Sequence, residues 1–165
     1  MIRVLNNISL INFTELTLEE KKMILSWRNH PNIKEWMYNG DDISLDNHLS
    51  FIEGLKNSTD KLYFLLKRES DYLGVIDFTN INRESASCEI GLYANVELKG
   101  VGTLLLDAIC EYGFKSLHMN KLVAEAFTEN KKAISLYKRF NFKYNMKKIL
   151  NSKEVVCMEL KYEDR

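Results

Sequence analysis

The chain has 165 residues, enough for a single domain over 1–165 with a core of its own. Its 23 Lys and Arg balance 23 Asp and Glu, which leaves neither the basic footprint of a nucleic-acid binder nor a polybasic membrane patch. Its apolar runs are too short to cross a bilayer and MIRVLNNISLINF lacks the pattern of a secretory signal, so a cytoplasmic protein is expected.

In chain order, NISLINF predicts a first strand. TLEEKKMILSWRNH predicts a helix, with Thr17 and Glu20 spaced as a capping box and Met23, Ile24 and Trp27 on its apolar face. Pro31, the chain's one proline, ends that helix, and HPNIKEWMYNGDD predicts a short turn or helix. SLDNHLSFIEGLKNS starts a second helix at Ser44. KLYFLLKRESDYLGVIDFTNI reads as a hairpin turning at RESD, and SASCEIGLYAN as a further strand. A glycine junction and its helix run to about Leu117. KLVAEAF is then a strand, NKKAISLYKRF a helix, and FKYNMKKIL with EVVCMELKY a closing hairpin. The order is β-α-α-β-β-β-α-β-α-β-β, with one parallel strand pair across the central helix. Cys88, Cys110 and Cys157 are odd in number and widely spaced. They predict buried thiols rather than a disulfide or metal framework, so no metal is expected.

The junction ELKGVGTLLL carries the chemistry. Lys99, Gly100, Val101, Gly102 and Thr103 open a helix whose first N–H groups lack intrahelical partners. Two residues without Cβ leave room for a pyrophosphate against the positive helix end, or serve only a tight turn. A Walker A loop and a Rossmann fingerprint both need residues that this stretch lacks.

The element order, LYAN-ELKGVGTLLL and EAFTENKKAISLYKRFNFK together resemble the GCN5-related N-acetyltransferase (GNAT) superfamily over nearly the whole chain. The resemblance implies an α/β GNAT fold. Its mixed, mostly antiparallel central sheet has about seven strands and four helices, and is splayed between the fourth and fifth strands. Gly100 and Gly102 match the family's pyrophosphate turn. Asn130, Ala133, Tyr137 and Phe142 match its Asn-x-x-Ala-x-x-x-Tyr-x-x-x-x-Phe motif. Glu97 stands where Gln or Arg is usual, with Lys99 near enough to offset its charge. Acetyl-CoA is the implied co-substrate. The resemblance lays its pantetheine arm along Leu92, Tyr93 and Ala94 and its phosphates on residues 99–103, with Asn130 and Ala133 opening the next helix.

Acetyl transfer to an amine needs a neutral nucleophile, stabilisation of the thioester oxyanion and a proton for the departing thiolate. The resemblance makes Tyr137 the acid that protonates the CoA sulfur. A tyrosine is protonated at neutral pH, as that role requires. The competing reading is that Tyr137 only packs beside Leu136 and Phe140. Strand alternation places Glu89, Gly91 and Tyr93 on one face, and Val123, Glu125 and Phe127 on one face of the next strand. Glu125 is the one charge in LVAEAF, which is costly in a central strand unless it points into a wet cleft. It is the first candidate to meet the substrate ammonium or draw off its proton, and Glu89 is the second.

The acceptor is set by WRNHPNIKEWMYNGDDISLDNHLSFIEGLKNS. This segment is similar to GNAT enzymes that acetylate the 4-amino group of a UDP-linked 4-amino-4,6-dideoxy sugar in pseudaminic acid biosynthesis, for flagellin glycosylation. Arg28 and His30 suit a diphosphate. Trp36, Met37, Tyr38 and Phe51 offer flat apolar surface for a deoxysugar and uracil ring, and His48 a hydrogen bond to sugar hydroxyls or the N-acetyl group. Tyr93 and Glu125 complete the set. The structural alternative puts Trp27, Trp36 and Phe51 in the core and makes Arg28 and His30 cap the first helix. Three rivals remain: protein N-terminal acetylation of the ribosomal type, a polyamine or aminoglycoside acceptor hinted at by GDDISLD, and a non-catalytic acyl-CoA-binding module. The oligomeric state is open, with a homodimer one option.

Overall fold

The computed structural model describes residues 2–165, with side chains from Leu5 onward. Its eight strands are β1 (Ile2–Leu5), β2 (Ile8–Asn12), β3 (Leu62–Arg68), β4 (Asp71–Asn82), β5 (Ser87–Ala94), β6 (Lys121–Phe127), β7 (Lys143–Leu150) and β8 (Lys153–Lys161). They form one sheet in the order β1-β2-β3-β4-β5-β6-β8-β7. β1 is the strand that the pattern of the sequence did not announce. It pairs antiparallel with β2 at the sheet edge. Every neighbouring pair is antiparallel except β5 and β6, which run parallel because α4 (Gly102–Glu111) crosses over between them.

The remaining helices are α1 (Leu18–Arg28), α2 (Pro31–Lys34), α3 (Leu45–Gly54) and α5 (Lys131–Arg139). Thr17 and Glu20 close the expected capping box on α1: the Glu20 N–H donates to Thr17 Oγ1 at 3.1 Å and the Thr17 N–H to Glu20 Oε1 at 2.9 Å. Ser44 caps α3 through the Asn47 N–H, and Asn130 caps α5 through the Ala133 N–H. A π-turn, Tyr112–Ser116, prolongs α4.

The sheet buries both faces, and the division decides where each substrate can go. α1 and α3 cover one face, where Phe13, Ile24, Trp27, Ile52, Leu65 and Val75 pack together. Trp27 is thus core, 4% exposed. On the other face Leu105, Leu106, Ile109 and Leu136 join Ile76, Phe78, Ile90, Leu122 and Ala124. Alternation along β4, β5 and β6 therefore sends Asp77, Glu89, Gly91, Tyr93 and Glu125 toward the α1/α3 side. Among the described residues no helix is long and apolar enough to cross a membrane. Cys88 and Cys157 are buried, Cys110 is half-buried and all three are free.

Candidate active site

The parallel pairing of β5 with β6 runs from Ser87↔Lys121 to Ile90↔Ala124 and stops. Beyond that point β5 stays bonded to β4 as far as Gly74↔Ala94, and β6 stays bonded to β8 as far as Phe127↔Val155. Residues 91–94 thus keep one backbone edge free on the side facing β6. This is the splay expected between the fourth and fifth strands of the predicted order, which are β5 and β6 here. It parts the two strands along Leu92, Tyr93 and Ala94.

The glycine junction follows β5 and opens α4. Val101 occupies the N-cap position of α4 and has no side chain able to cap, so the first N–H groups of the helix have no side-chain acceptor. Gly100 has φ +75°, and a Cβ there would meet nothing within 4 Å, so it provides a left-handed turn beside open space. Gly102 has a packing role. A Cβ on it would lie 3.2 Å from Leu136 Cδ2, so its bareness lets α5 approach α4. The Asn95 carboxamide fixes the approach to this turn, accepting the Glu97 N–H at 3.0 Å and donating to the Tyr72 carbonyl at 2.9 Å.

Tyr137 lies on α5 at the same side, 6% exposed, its ring 5.4 Å from that of Phe142. Burial, followed by the charge of Asp77, pushes its hydroxyl up to about 12, so it is held as a proton donor. That hydroxyl makes no hydrogen bond within the described residues, yet it is not sealed in.

On the α1/α3 side lies a cleft of about 430 Å³, with Tyr93 of β5 and Glu125 of β6 in its wall. Trp36, Met37, Tyr38 and Phe51 line it, as does Arg28. Trp36, Tyr38 and Phe51 are 38%, 43% and 39% exposed, so they are cleft walls rather than core. The loop that carries Trp36–Tyr38 is tied to the end of α1. Arg28 Nη2 donates to the Asn39 carbonyl at 2.8 Å, and the Asn29 carboxamide exchanges two bonds with the Ile43 backbone. Arg28 Nη1 is buried and unpartnered among the described residues.

The two histidines expected at the acceptor site are both committed to backbone bonds. His30 does not line the cleft: its Nδ1 accepts the Asn32 N–H at 3.1 Å and caps α2, because the residue before Pro31 is extended and suits an N-cap. His48 lines the cleft wall but is committed, with Nε2 donating to the Lys21 carbonyl at 2.8 Å. Burial, then the Lys21 charge, holds its ring below the ordinary histidine range against the pull of that backbone bond. It ties α3 to α1.

The three carboxylates of the cleft differ in kind. Glu125 is fully engaged: it accepts Tyr38 Oη at 2.5 Å, Lys148 Nζ at 3.0 Å and Cys157 Sγ at 3.6 Å. Burial would raise its pKa, but the bonds from Tyr38 and Lys148 and the lysine charge outweigh burial and lower it. A carboxylate so held is a weaker proton acceptor than a free one, which counts against Glu125 as the first candidate base. Glu89 accepts one bond from Asn80 Nδ2 at 3.0 Å. Asp77, which the sequence reading passed over, has no hydrogen bond or ion pair among the described residues. It is the single charge in the apolar run LGVIDFTNI, the same signal that singled out Glu125. Tyr63 and Tyr93 also face the cleft, with hydroxyls uncommitted among the described residues and raised above the ordinary tyrosine range by burial and then by Asp77.

A sheet splayed between two parallel strands, with bare helix N–H groups and a tyrosine on one face and a polar cleft on the other, defines an acyltransferase of the GNAT kind. The acetyltransferase (GNAT) domain family matches residues 11–143, and the chain belongs to it. A curated relative is the acetyltransferase PseH of Campylobacter jejuni subsp. jejuni (serotype O:23/36, strain 81-176). It is 44% identical over 135 residues, covering 82% of this chain and 84% of the relative. The crystal structure of Campylobacter jejuni N-acetyltransferase PseH in complex with acetyl coenzyme A superposes with a TM-score of 0.78 at 37% identity, over 94% of this chain and 99% of that one. The spermidine N-acetyltransferase of Vibrio cholerae, solved with CoA and spermine, has the same fold, with a TM-score of 0.86 over 97% of this chain and 98% of that one, at 19% identity.

Proposed function

We propose that the enzyme transfers the acetyl group of acetyl-CoA to the 4-amino group of a UDP-linked 4-amino-4,6-dideoxy sugar, a cytoplasmic step toward pseudaminic acid. Acetyl-CoA enters from the α4 side, its pyrophosphate on the N–H groups at Gly102 and Thr103 and its pantetheine arm along residues 92–94. The thioester then sits at the splay, where a β5 N–H near Leu92 or Tyr93 polarises its carbonyl and Tyr137 protonates the leaving thiolate. The nucleotide sugar enters from the other side, its deoxysugar and uracil against Trp36, Met37, Tyr38 and Phe51.

The observation that carries this acceptor is Arg28 Nη1, a buried charged donor without a partner at the cleft wall. An orphaned donor of that kind costs more than the roughly 1–3 kcal/mol of a neutral group, and an anionic ligand supplies the missing acceptor. The test compares wild type with Arg28→Ala on the UDP-sugar and on the free amino sugar. The variant should lose roughly ten- to hundred-fold in kcat/KM on the nucleotide form, the worth of a charge-assisted bond of about 1.5–3 kcal/mol, and much less on the free sugar. Equal losses on both acceptors, or preferential acetylation of peptide N-termini or spermidine, would overturn it.

A further inference from the structure

Three carboxylates line one cleft, and what each touches separates their roles. Glu125 is paired on both oxygens and Glu89 is bonded to Asn80. Asp77 alone has neither a hydrogen bond nor an ion pair among the described residues. Its position is made by its neighbour on β5: Asp77 pairs with Gly91, and a Cβ on Gly91 would lie 2.5 Å from Asp77 Oδ2. Only glycine at that register leaves the carboxylate its place against the sheet at the mouth of the splay. Tyr137 stands on the opposite face of the sheet, yet it feels the Asp77 charge.

We propose that Asp77 is the base of this enzyme, taking the proton of the acceptor ammonium directly or through one water. The inference rests on the acceptor being an amine bound in this cleft, as in the function proposed above. One N–H proton of the ammonium passes to the Asp77 carboxylate, and the freed nitrogen pair forms the C–N bond at the thioester carbonyl. Collapse of the tetrahedral adduct breaks the C–S bond, and the thiolate takes the Tyr137 proton. The second nitrogen proton leaves as the amide forms and restores the Tyr137 hydroxyl through solvent. Asp77 returns its proton to water, so the net products are amide, CoA thiol and one proton.

The surroundings suit the role. Burial, and after it the charge of Glu89, push Asp77 up to about 7, where a base combines availability with strength. The ionisable groups near enough to feel its charge, or to act on it, are Tyr63 from β3, Cys88, Glu89 and Tyr93 from β5, and Tyr137 from α5, with Arg28 of α1 acting on the two cleft tyrosines. Of these, it is the charge of Glu89 that works to raise Asp77.

The experiment is the pH dependence of kcat/KM in wild type, Asp77→Asn and Glu89→Gln, with carboxyl-13C aspartate NMR of the free enzymes. Wild type should show an acid limb near neutrality. Asp77→Asn should lose that limb together with about 10²- to 10⁴-fold in kcat/KM, while still binding acetyl-CoA. Glu89→Gln should move the limb to lower pH, because a like charge has gone. One aspartate resonance should titrate near neutrality and be missing from Asp77→Asn. An unchanged limb and rate in Asp77→Asn, or no such resonance in wild type, overturns the inference. If wild type ignores the UDP-sugar and acetylates another amine, the acceptor reading falls. The same enzymes then run with that amine, where the limb decides on Asp77 independently.

Discussion

Tyr38 Oη donates a 2.5 Å hydrogen bond to Glu125 Oε1, joining the loop after α2 to β6 across the mouth of the cleft. The other carboxylate oxygen holds Lys148 of β7 at 3.0 Å, so three elements far apart in sequence meet on one side chain. The Tyr38 ring adds an edge contact to Phe127, with centroids 5.6 Å apart. Glu125 is in this arrangement an anchor for the aromatic wall of the cleft.

An anchor and a base fail differently. Glu125→Gln should keep the acid limb of the pH profile and lose less than about ten-fold in kcat, because general-base loss would cost about 10²- to 10⁴-fold. Tyr38→Phe should raise KM for the acceptor several-fold and leave KM for acetyl-CoA unchanged. The bond is partly exposed, so its loss is worth about 1 kcal/mol or less. Steady-state kinetics on both substrates checks both variants. A collapse of kcat in Glu125→Gln would restore it as the base.

Tyr137→Phe keeps the ring and its contact with Phe142 and removes only the hydroxyl. Since that hydroxyl bonds nothing else within the described residues, melting temperature and acetyl-CoA affinity should barely change. The kcat should fall by about 10²- to 10⁴-fold, the usual worth of a positioned proton transfer. Single-turnover kinetics separates this from slow product release, and full turnover would leave Tyr137 as packing alone.

Gly102 serves ligand and fold together. Gly102→Val should lower acetyl-CoA affinity, as a side chain at the helix opening would. It should also cost about 1–3 kcal/mol of stability, because its Cβ crowds Leu136. Adding Leu136→Ala should give a stability loss smaller than the sum of the two single losses, while the affinity loss stays. Calorimetric titration and thermal unfolding on the same three variants check both halves. A double variant that regained acetyl-CoA affinity would make Gly102 a packing residue alone.

What the sequence disclosed follows from where its signals are local. Helix starts at Thr17 and Ser44, the hairpin turn at residues 69–70 and the Gly100 turn are set by neighbours a few residues apart, and periodicity read them correctly. The strand Ile2–Leu5 is set by its partner, since its pairing with Ile8–Ile11 at the sheet edge is what makes it a strand. The cleft separates in the same way. Trp36, Tyr38 and Phe51 were visible as surplus aromatics in a polar segment. The fates of His30 and His48 depend on backbone groups at Asn32 and Lys21 that no motif marks. Glu125 and Asp77 carried the same signal, one charge in an apolar strand. Only the cross-strand neighbours, Lys148 for one and Gly91 for the other, tell anchor from base.

The same contrast gives the two acids opposite effects on stability. Asp77 is raised from the ordinary aspartate value of 3.8 to about 7. Between those values the native state holds more protons than the unfolded chain, so stability falls as pH rises from about 4 to about 7. The cost of ionising Asp77 is at most about 4 kcal/mol, an upper limit because the side chain keeps a partial opening to the cleft. Glu125 is lowered, so it contributes stability present above its unfolded value and lost as pH falls through the folded one. Asp77→Asn removes the first effect and leaves the second. Its melting temperature should match wild type at about pH 4 and exceed it progressively to about pH 8, at roughly 2–4 °C per kcal/mol for a domain of this size. Thermal unfolding of both proteins across that range isolates Asp77 in the difference. A gap that does not widen with pH would mean that the carboxylate is solvated in the folded state and titrates like any surface aspartate.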